Sequence, residues 1–93
     1  MSGDELTRFR REIDEIDRTW VLTLARRFEI TEAVGNLKRR EGLPAGDPLR
    51  ESRQIEALRD LAGKNGLDPD LVEQLFRMIT DRVRARHREL GAG

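Results

Sequence analysis

Between Leu6 and Val34 the apolar residues recur at alternating steps of three and four: Leu6, Phe9, Ile13, Ile16, Trp20, Leu24, then Phe28 or Thr31, and Val34. Each helical residue turns the chain by roughly 100°, so this period lines one face of an α-helix, whereas a strand would alternate at every second position. From Asp4 to Glu41 there is no proline and one glycine, Gly35, and the pattern predicts a single long helix. Gly42-Leu43-Pro44-Ala45-Gly46 then breaks the period. Asp47-Pro48 is a helix start, with the carboxylate as N-cap and proline in the first turn, where its missing N–H costs nothing. A second helix is expected to about Ala62, with Ile55, Leu58, Leu61 and Ala62 as its apolar face. Gly63-Lys64-Asn65-Gly66 ends it. Asp68-Pro69 repeats the start signal for a third helix to about Leu90, striped by Val72, Leu75, Phe76, Ile79, Val83 and Leu90. The fold class is all-α, one long and two shorter helices in a single domain over residues 1–93.

Polar residues intrude on these faces. Arg27 and Lys38 project to the centre of the first stripe, 11 residues apart on one line, about 16 Å along the axis. Glu51 projects into the apolar face of the second helix, with Arg50 at its edge, and Arg10 lies on the flank of the first. An unpaired buried cation costs several kcal/mol. A structural ion pair between Arg27 and Glu51 answers that cost for one cation, and snorkelling answers it for Lys38, near its helix end. Arg27, Lys38, Arg50 and Arg10 nevertheless outnumber the one carboxylate. The surplus points to an anionic ligand with more than one acid group. His87 flanks the third stripe beside Phe76 and Val83, where a packing role is the commoner one.

Composition narrows the function. Lysine plus arginine and aspartate plus glutamate both total 18, so the basic excess that nucleic acid requires is missing. The run Arg82, Arg84, Arg86, Arg88 reads as a solvated face interleaved with Asp81 and Glu89. With no cysteine and one histidine, disulfides, thiolate chemistry and a zinc site are not expected. The longest apolar run, Trp20 to Leu22, makes neither a signal peptide nor a membrane span, and a cytoplasmic protein is expected. Ser2 and Ser52 are the only serines, no carboxylate dyad is visible, and any catalysis must rest on positioning and electrostatics. A helix of about 36 residues is roughly 54 Å long, against a radius of gyration of about 12 Å for a compact chain of this size. Its apolar seam is expected to pack on a second copy.

The residues resemble the all-helical chorismate mutases over nearly the whole chain, Leu6 to Leu90. Phe9-Arg10-Arg11-Glu12-Ile13-Asp14-Glu15-Ile16-Asp17 is similar to that family's opening block. Arg26-Arg27, Val34-Gly35 and Lys38 match the next, and Asp47 with Arg50-Glu51 matches the start of its second helix. The resemblance implies an intertwined homodimer with two sites, each taking Arg27, Lys38, Asp47, Arg50 and Glu51 from one subunit and Arg10 from the other. It implies the rearrangement of chorismate to prephenate, an intramolecular pericyclic step without cofactor or proton transfer. Arg10 and Arg27 would grip the two carboxylates and hold the reactive conformer. Lys38 would face the ether oxygen as its bond breaks, and Glu51 with Asp47 would hold the ring hydroxyl.

The third helix departs from the family. Val83 stands where many relatives carry a small hydroxyl residue, and His87 where they carry glutamine or glutamate against the ether oxygen. His87 can donate from a ring nitrogen, more strongly when protonated, so a rate rising toward acidic pH is expected. Isochorismate-pyruvate lyases and aminodeoxychorismate mutases share the scaffold but typically carry an apolar residue at the Glu51 position. A non-catalytic helical dimer with register-fixing seam charges is the alternative of another class. Some relatives are activated by docking on the first enzyme of the shikimate pathway, a partner this resemblance makes possible here.

Overall fold

The computed structural model describes residues 2–89 as three α-helices: α1, Ser2–Glu41; α2, Pro48–Lys64; and α3, Pro69–Glu89. No strand occurs among the described residues. Leu90, expected on the third stripe, lies outside them. The chain divides into two compact units at Thr31/Glu32, within α1.

The first unit is the N-terminal part of α1. Its threonines cap their own helix: Thr7, Thr19 and Thr23 hydroxyls donate to the carbonyls of Gly3, Glu15 and Thr19 at 2.8–3.0 Å, so β-branched polar residues sit in a helix without leaving their hydroxyls idle. The expected stripe is present but uncovered in its own unit, with Leu6, Phe9, Ile13, Ile16 and Trp20 between 45% and 63% exposed. The Trp20 indole N–H donates to Asp17 at 3.1 Å. Leu24 and Phe28 are half-buried.

The second unit holds the end of α1 with α2 and α3. Both chain reversals use the same device. Gly42 (φ 65°) and Gly66 (φ 71°) take the left-handed conformation, and each helix end is closed by a crossed pair of backbone bonds. Leu43 N–H donates to Lys38 and Gly42 N–H to Arg39; Leu67 N–H donates to Ala62 and Gly66 N–H to Gly63. These are Schellman motifs, which satisfy carbonyls a helix end otherwise leaves open. Because the second motif closes at Gly66, Gly63 and Lys64 stay helical and α2 outlasts its expected end at Ala62. The two Asp-Pro starts stand as read. The Asp47 carboxylate accepts from Arg50 N–H at 3.1 Å, and that of Asp68 from Asp70 N–H at 2.9 Å.

Helices α2 and α3 pack against one another as an antiparallel hairpin. Their cross-helix ion pairs step in opposite directions, Glu51 with Arg84 and Arg59 with Glu73. Phe76 and Ala62 are buried, while Ile55, Leu58, Val72, Ile79 and Val83 are half-buried. Leu61 and Leu75, expected on the faces, are instead exposed by 57% and 49%, because the two stripes are wider than the seam the helices share.

Near the α2–α3 turn, Arg59 donates to Asp70 at 2.9 Å and to Glu73 at 3.0 Å, and Arg77 pairs with Glu73 at 2.9 Å. The Arg77 hydrogen bond, helped by Arg59, holds the Glu73 carboxyl below the usual glutamate range against a smaller opposing effect of desolvation. A carboxylate with a lowered folded-state pKa stabilises the fold above its unfolded value, and that contribution disappears as pH falls through the folded value. The unfolding temperature should therefore drop as pH is taken from about 5 to about 3. Glu73→Gln should flatten part of that slope while lowering the midpoint at neutral pH, as read by circular dichroism melts at each pH.

Candidate functional site

Five of the seven residues marked out by sequence lie in the second unit: Lys38, Asp47, Arg50, Glu51 and His87. Lys38 is half-buried in the last turn of α1. Its own carbonyl is an acceptor of the Schellman motif, and its Nζ donates to the Ala45 carbonyl in the following loop at 3.2 Å. Backbone and side chain are thus both tied to the reversal that leads into α2. Asp47, exposed, caps α2, and Arg50 and Glu51 follow within the first turn. The helix start therefore places a cation and a carboxylate side by side, Arg50 exposed and Glu51 half-buried.

Arg27 and Arg10 belong to the first unit. Arg27 is half-buried and makes polar contacts of its own, and Arg10 is exposed. The expectation of fully buried cations is corrected by this. No polar or charged residue is buried among the described residues.

Two contacts were not legible in advance. Arg84, read as part of a solvated run, donates through Nη2 to Glu51 Oε2, and through Nη1 to Asp81 at 3.1 Å. Arg86 of the same run reaches across to Glu32 at 2.8 Å as well as to Glu89, and the Glu32 hydrogen bond raises its pKa further. The intrahelical pairs with Asp81 and Glu89 are as expected. The cross-helix pairs are the correction: both guanidiniums extend past the edge of α3 to carboxylates on other elements.

The His87 imidazole lies against the backbone of Gly35, the buried glycine of α1. A Cβ at Gly35 would stand 2.8 Å from Nε2 and 3.0 Å from Cε1. This explains a glycine in mid-helix, where alanine would otherwise be favoured by about 1 kcal/mol. The obstructed atoms are the far end of the His87 side chain, so the ring, and not the backbone, is what an added Cβ displaces. Gly35→Ala should accordingly leave the melting temperature within a few degrees of wild type while turning the imidazole away from α1. If His87 contacts substrate, turnover falls several-fold, and the His87→Gln change in the same background restores part of it.

The second unit thus gathers cations of the α1–α2 reversal, a carboxylate with its own guanidinium and a histidine on α3. Nothing in the set is arranged as a nucleophile beside a base. Side chains of this chemistry can hold and polarise an anion.

Sequence comparison shows the family of the chain. Residues 9–88 match the family Chorismate mutase type II, and the chain belongs to that family. Among its relatives, the T-protein of Enterobacter agglomerans is 39% identical over 75 residues, 81% of this chain and 20% of that protein. The chorismate mutase of Methanocaldococcus jannaschii is 26% identical over 92% of this chain and 87% of its own length. The 4-amino-4-deoxychorismate mutase of Streptomyces venezuelae is 32% identical over 82% of this chain and 74% of its own length. The chain spans only about a fifth of the T-protein it matches.

Proposed function

We propose that this chain is a chorismate mutase, converting chorismate to prephenate by restricting its conformation and stabilising the charge that develops on its ether oxygen. The observation that carries the reading is the reversal from α1 into α2. There Lys38 is fixed on the Ala45 carbonyl just ahead of a helix start bearing Asp47, Arg50 and Glu51, in a chain whose family match covers residues 9–88. One carbon–oxygen bond breaks as a carbon–carbon bond forms within the same molecule, so no proton need move. Arg27 and Arg10 bind the carboxylates, Lys38 faces the ether oxygen, and Glu51 with Asp47 accepts from the ring hydroxyl. Binding energy spent on the compact conformer removes the entropy of reaching it, and the Lys38 charge acts most where the transition state is most polar.

In this reading the functional unit is a homodimer of single-domain chains, with Arg10 serving the partner's site. Its support is the exposed stripe Leu6 to Trp20 and a protomer in which Ala62 and Phe76 are the buried apolar side chains among the described residues. So little buried surface does not hold a chain of this length on its own. Sedimentation velocity should return a dimer at micromolar concentration. A cytoplasmic location belongs to the same reading. No helix among the described residues is long and apolar enough to cross a membrane. An activating enzyme of the shikimate pathway remains the partner to test if turnover by the chain alone is slow.

The direct test mixes the purified chain with chorismate, follows loss of substrate absorbance and identifies the product, with Arg27→Ala as control. Prephenate from wild type alone supports the mutase. No turnover of chorismate, with isochorismate also inert and with no gain from the activating enzyme, rejects it in favour of the helical dimer. His87 adds a second variant: an unchanged rate in His87→Ala removes His87 from the mechanism.

A further inference from the structure

His87 stands in the last turn of α3, and the last turn of a helix is held by fewer backbone bonds than its middle. A side chain that must meet a substrate atom from there needs an attachment outside its own helix. Lacking one is costly, because a displacement of about 1 Å at a reacting group can lower a rate about a hundredfold. The close-packed helix pair of this unit is α2 with α3, and it is side chains that join the last turn of α3 to α1.

Two consecutive residues of that turn engage α1. The Arg86 guanidinium crosses to Glu32, Nε donating to Oε1 at 2.8 Å, and the His87 imidazole lies against the Gly35 backbone. Glu32 and Gly35 are three residues apart, so they share one face of α1 and are separated by about 4.5 Å along its axis. The ion pair and the ring contact therefore hold the same turn of α3 at two neighbouring points, where a single point would leave the turn free to roll. Arg86 also reaches Glu89 at 3.5 Å, but the Glu32 hydrogen bond is the chief reason that its pKa stands above the ordinary value. Both partners are part-exposed, Arg86 by 48% and Glu32 by 40%, and a pair so wetted adds little to stability. Its effect is on where the ring is held. His87 makes contacts of its own as well, and the strap adds to them.

We propose that Glu32 and Arg86 are positioning residues, whose ion pair straps the last turn of α3 to α1 and so holds the His87 imidazole where it meets the substrate. The inference rests on the mutase reading above and on the part His87 has in it. Both residues act through His87, outside direct contact with substrate.

The test is a double-mutant cycle on kcat for chorismate, comparing wild type, Glu32→Gln, His87→Ala and the double variant, with Arg86→Gln opening the strap from its other side. Glu32→Gln should lower kcat by about three- to tenfold, a fraction of what a full ångström of displacement costs, and leave the melting temperature within a few degrees of wild type. Arg86→Gln should do the same. In the His87→Ala background the Glu32→Gln change should cost less than about twofold, since no imidazole is left to misplace. The chain has one histidine, so its imidazole proton signals are read by NMR without ambiguity, and they should move in Glu32→Gln. A strut with no bearing on the ring predicts equal effects on kcat in both backgrounds, or an imidazole spectrum that stays where it was, and either result overturns the proposal. A His87→Ala variant as active as wild type overturns it too. A wild type inert toward chorismate fails the mutase reading itself; an active wild type with equal effects in both backgrounds fails this inference alone.

Discussion

Replacing Lys38 by alanine should lower kcat by about 10²- to 10³-fold, the range seen when one preorganised donor is removed from a developing oxyanion, with a much smaller change in KM. The split follows from when the charge matters. The ether oxygen of the bound substrate is nearly neutral, and it becomes anionic only as its carbon bond stretches, so Lys38 contributes little to binding and much to the barrier. Stability should move far less. The residue's tie to the fold is one hydrogen bond, Nζ to the Ala45 carbonyl at 3.2 Å, worth about 1 kcal/mol net. The Leu43 bond to the Lys38 carbonyl survives any side-chain change. Stopped assays at saturating chorismate, with a melt of the same sample, separate the two effects. A drop in KM-dependent rate alone would place Lys38 on a carboxylate and remove it from the ether oxygen.

Arg27→Ala should behave differently. It removes charge-assisted hydrogen bonds to a substrate carboxylate, each worth about 1.5–3 kcal/mol, and kcat/KM should fall by about a hundredfold or more. Loss through KM and kcat together is expected, since a carboxylate grip both binds the substrate and holds its side chain over the ring. The melting temperature is the discriminating reading. Arg27 is half-buried, makes polar contacts of its own and shares its stripe with apolar residues and Lys38, so its effect on stability depends on what those contacts are for. A ligand role predicts a melting temperature unchanged or raised in Arg27→Ala. A register-fixing role at a dimer seam predicts a clear fall, with dissociation at low concentration.

The helices were legible because their signals are local. A 3-4 period, two Asp-Pro starts and glycines at 42 and 66 act within a turn or two of themselves, and each appears where read. The family resemblance carried by Arg26-Arg27, Val34-Gly35, Lys38 and Arg50-Glu51 is matched by the family assignment over residues 9–88. Burial was less legible. A helical wheel shows which residues share a face, and it says nothing of how much of that face the rest of the chain covers. Leu61, Leu75 and the α1 stripe are exposed for that reason.

Arg84 escaped a different way. Long side chains escape the face their Cα occupies, and a guanidinium set among intrahelical acids at 81 and 89 gives no sign that it will cross to Glu51. The Gly35–His87 contact did leave a trace. A glycine interrupting an otherwise well-formed helix signals a close approach by another group, although only the fold tells which group comes.

The two chain reversals are built from the same crossed bonds and left-handed glycines, yet they tolerate engineering unequally. The loop between α1 and α2 carries Lys38 at one end, its acceptor Ala45 in the middle and Asp47 at the other, so its length is a measured span, and an added residue would detune the lysine against the helix start. The turn around Gly66 bears none of the seven site residues. A reporter tag or an inserted domain belongs there, away from the residues that carry the chemistry.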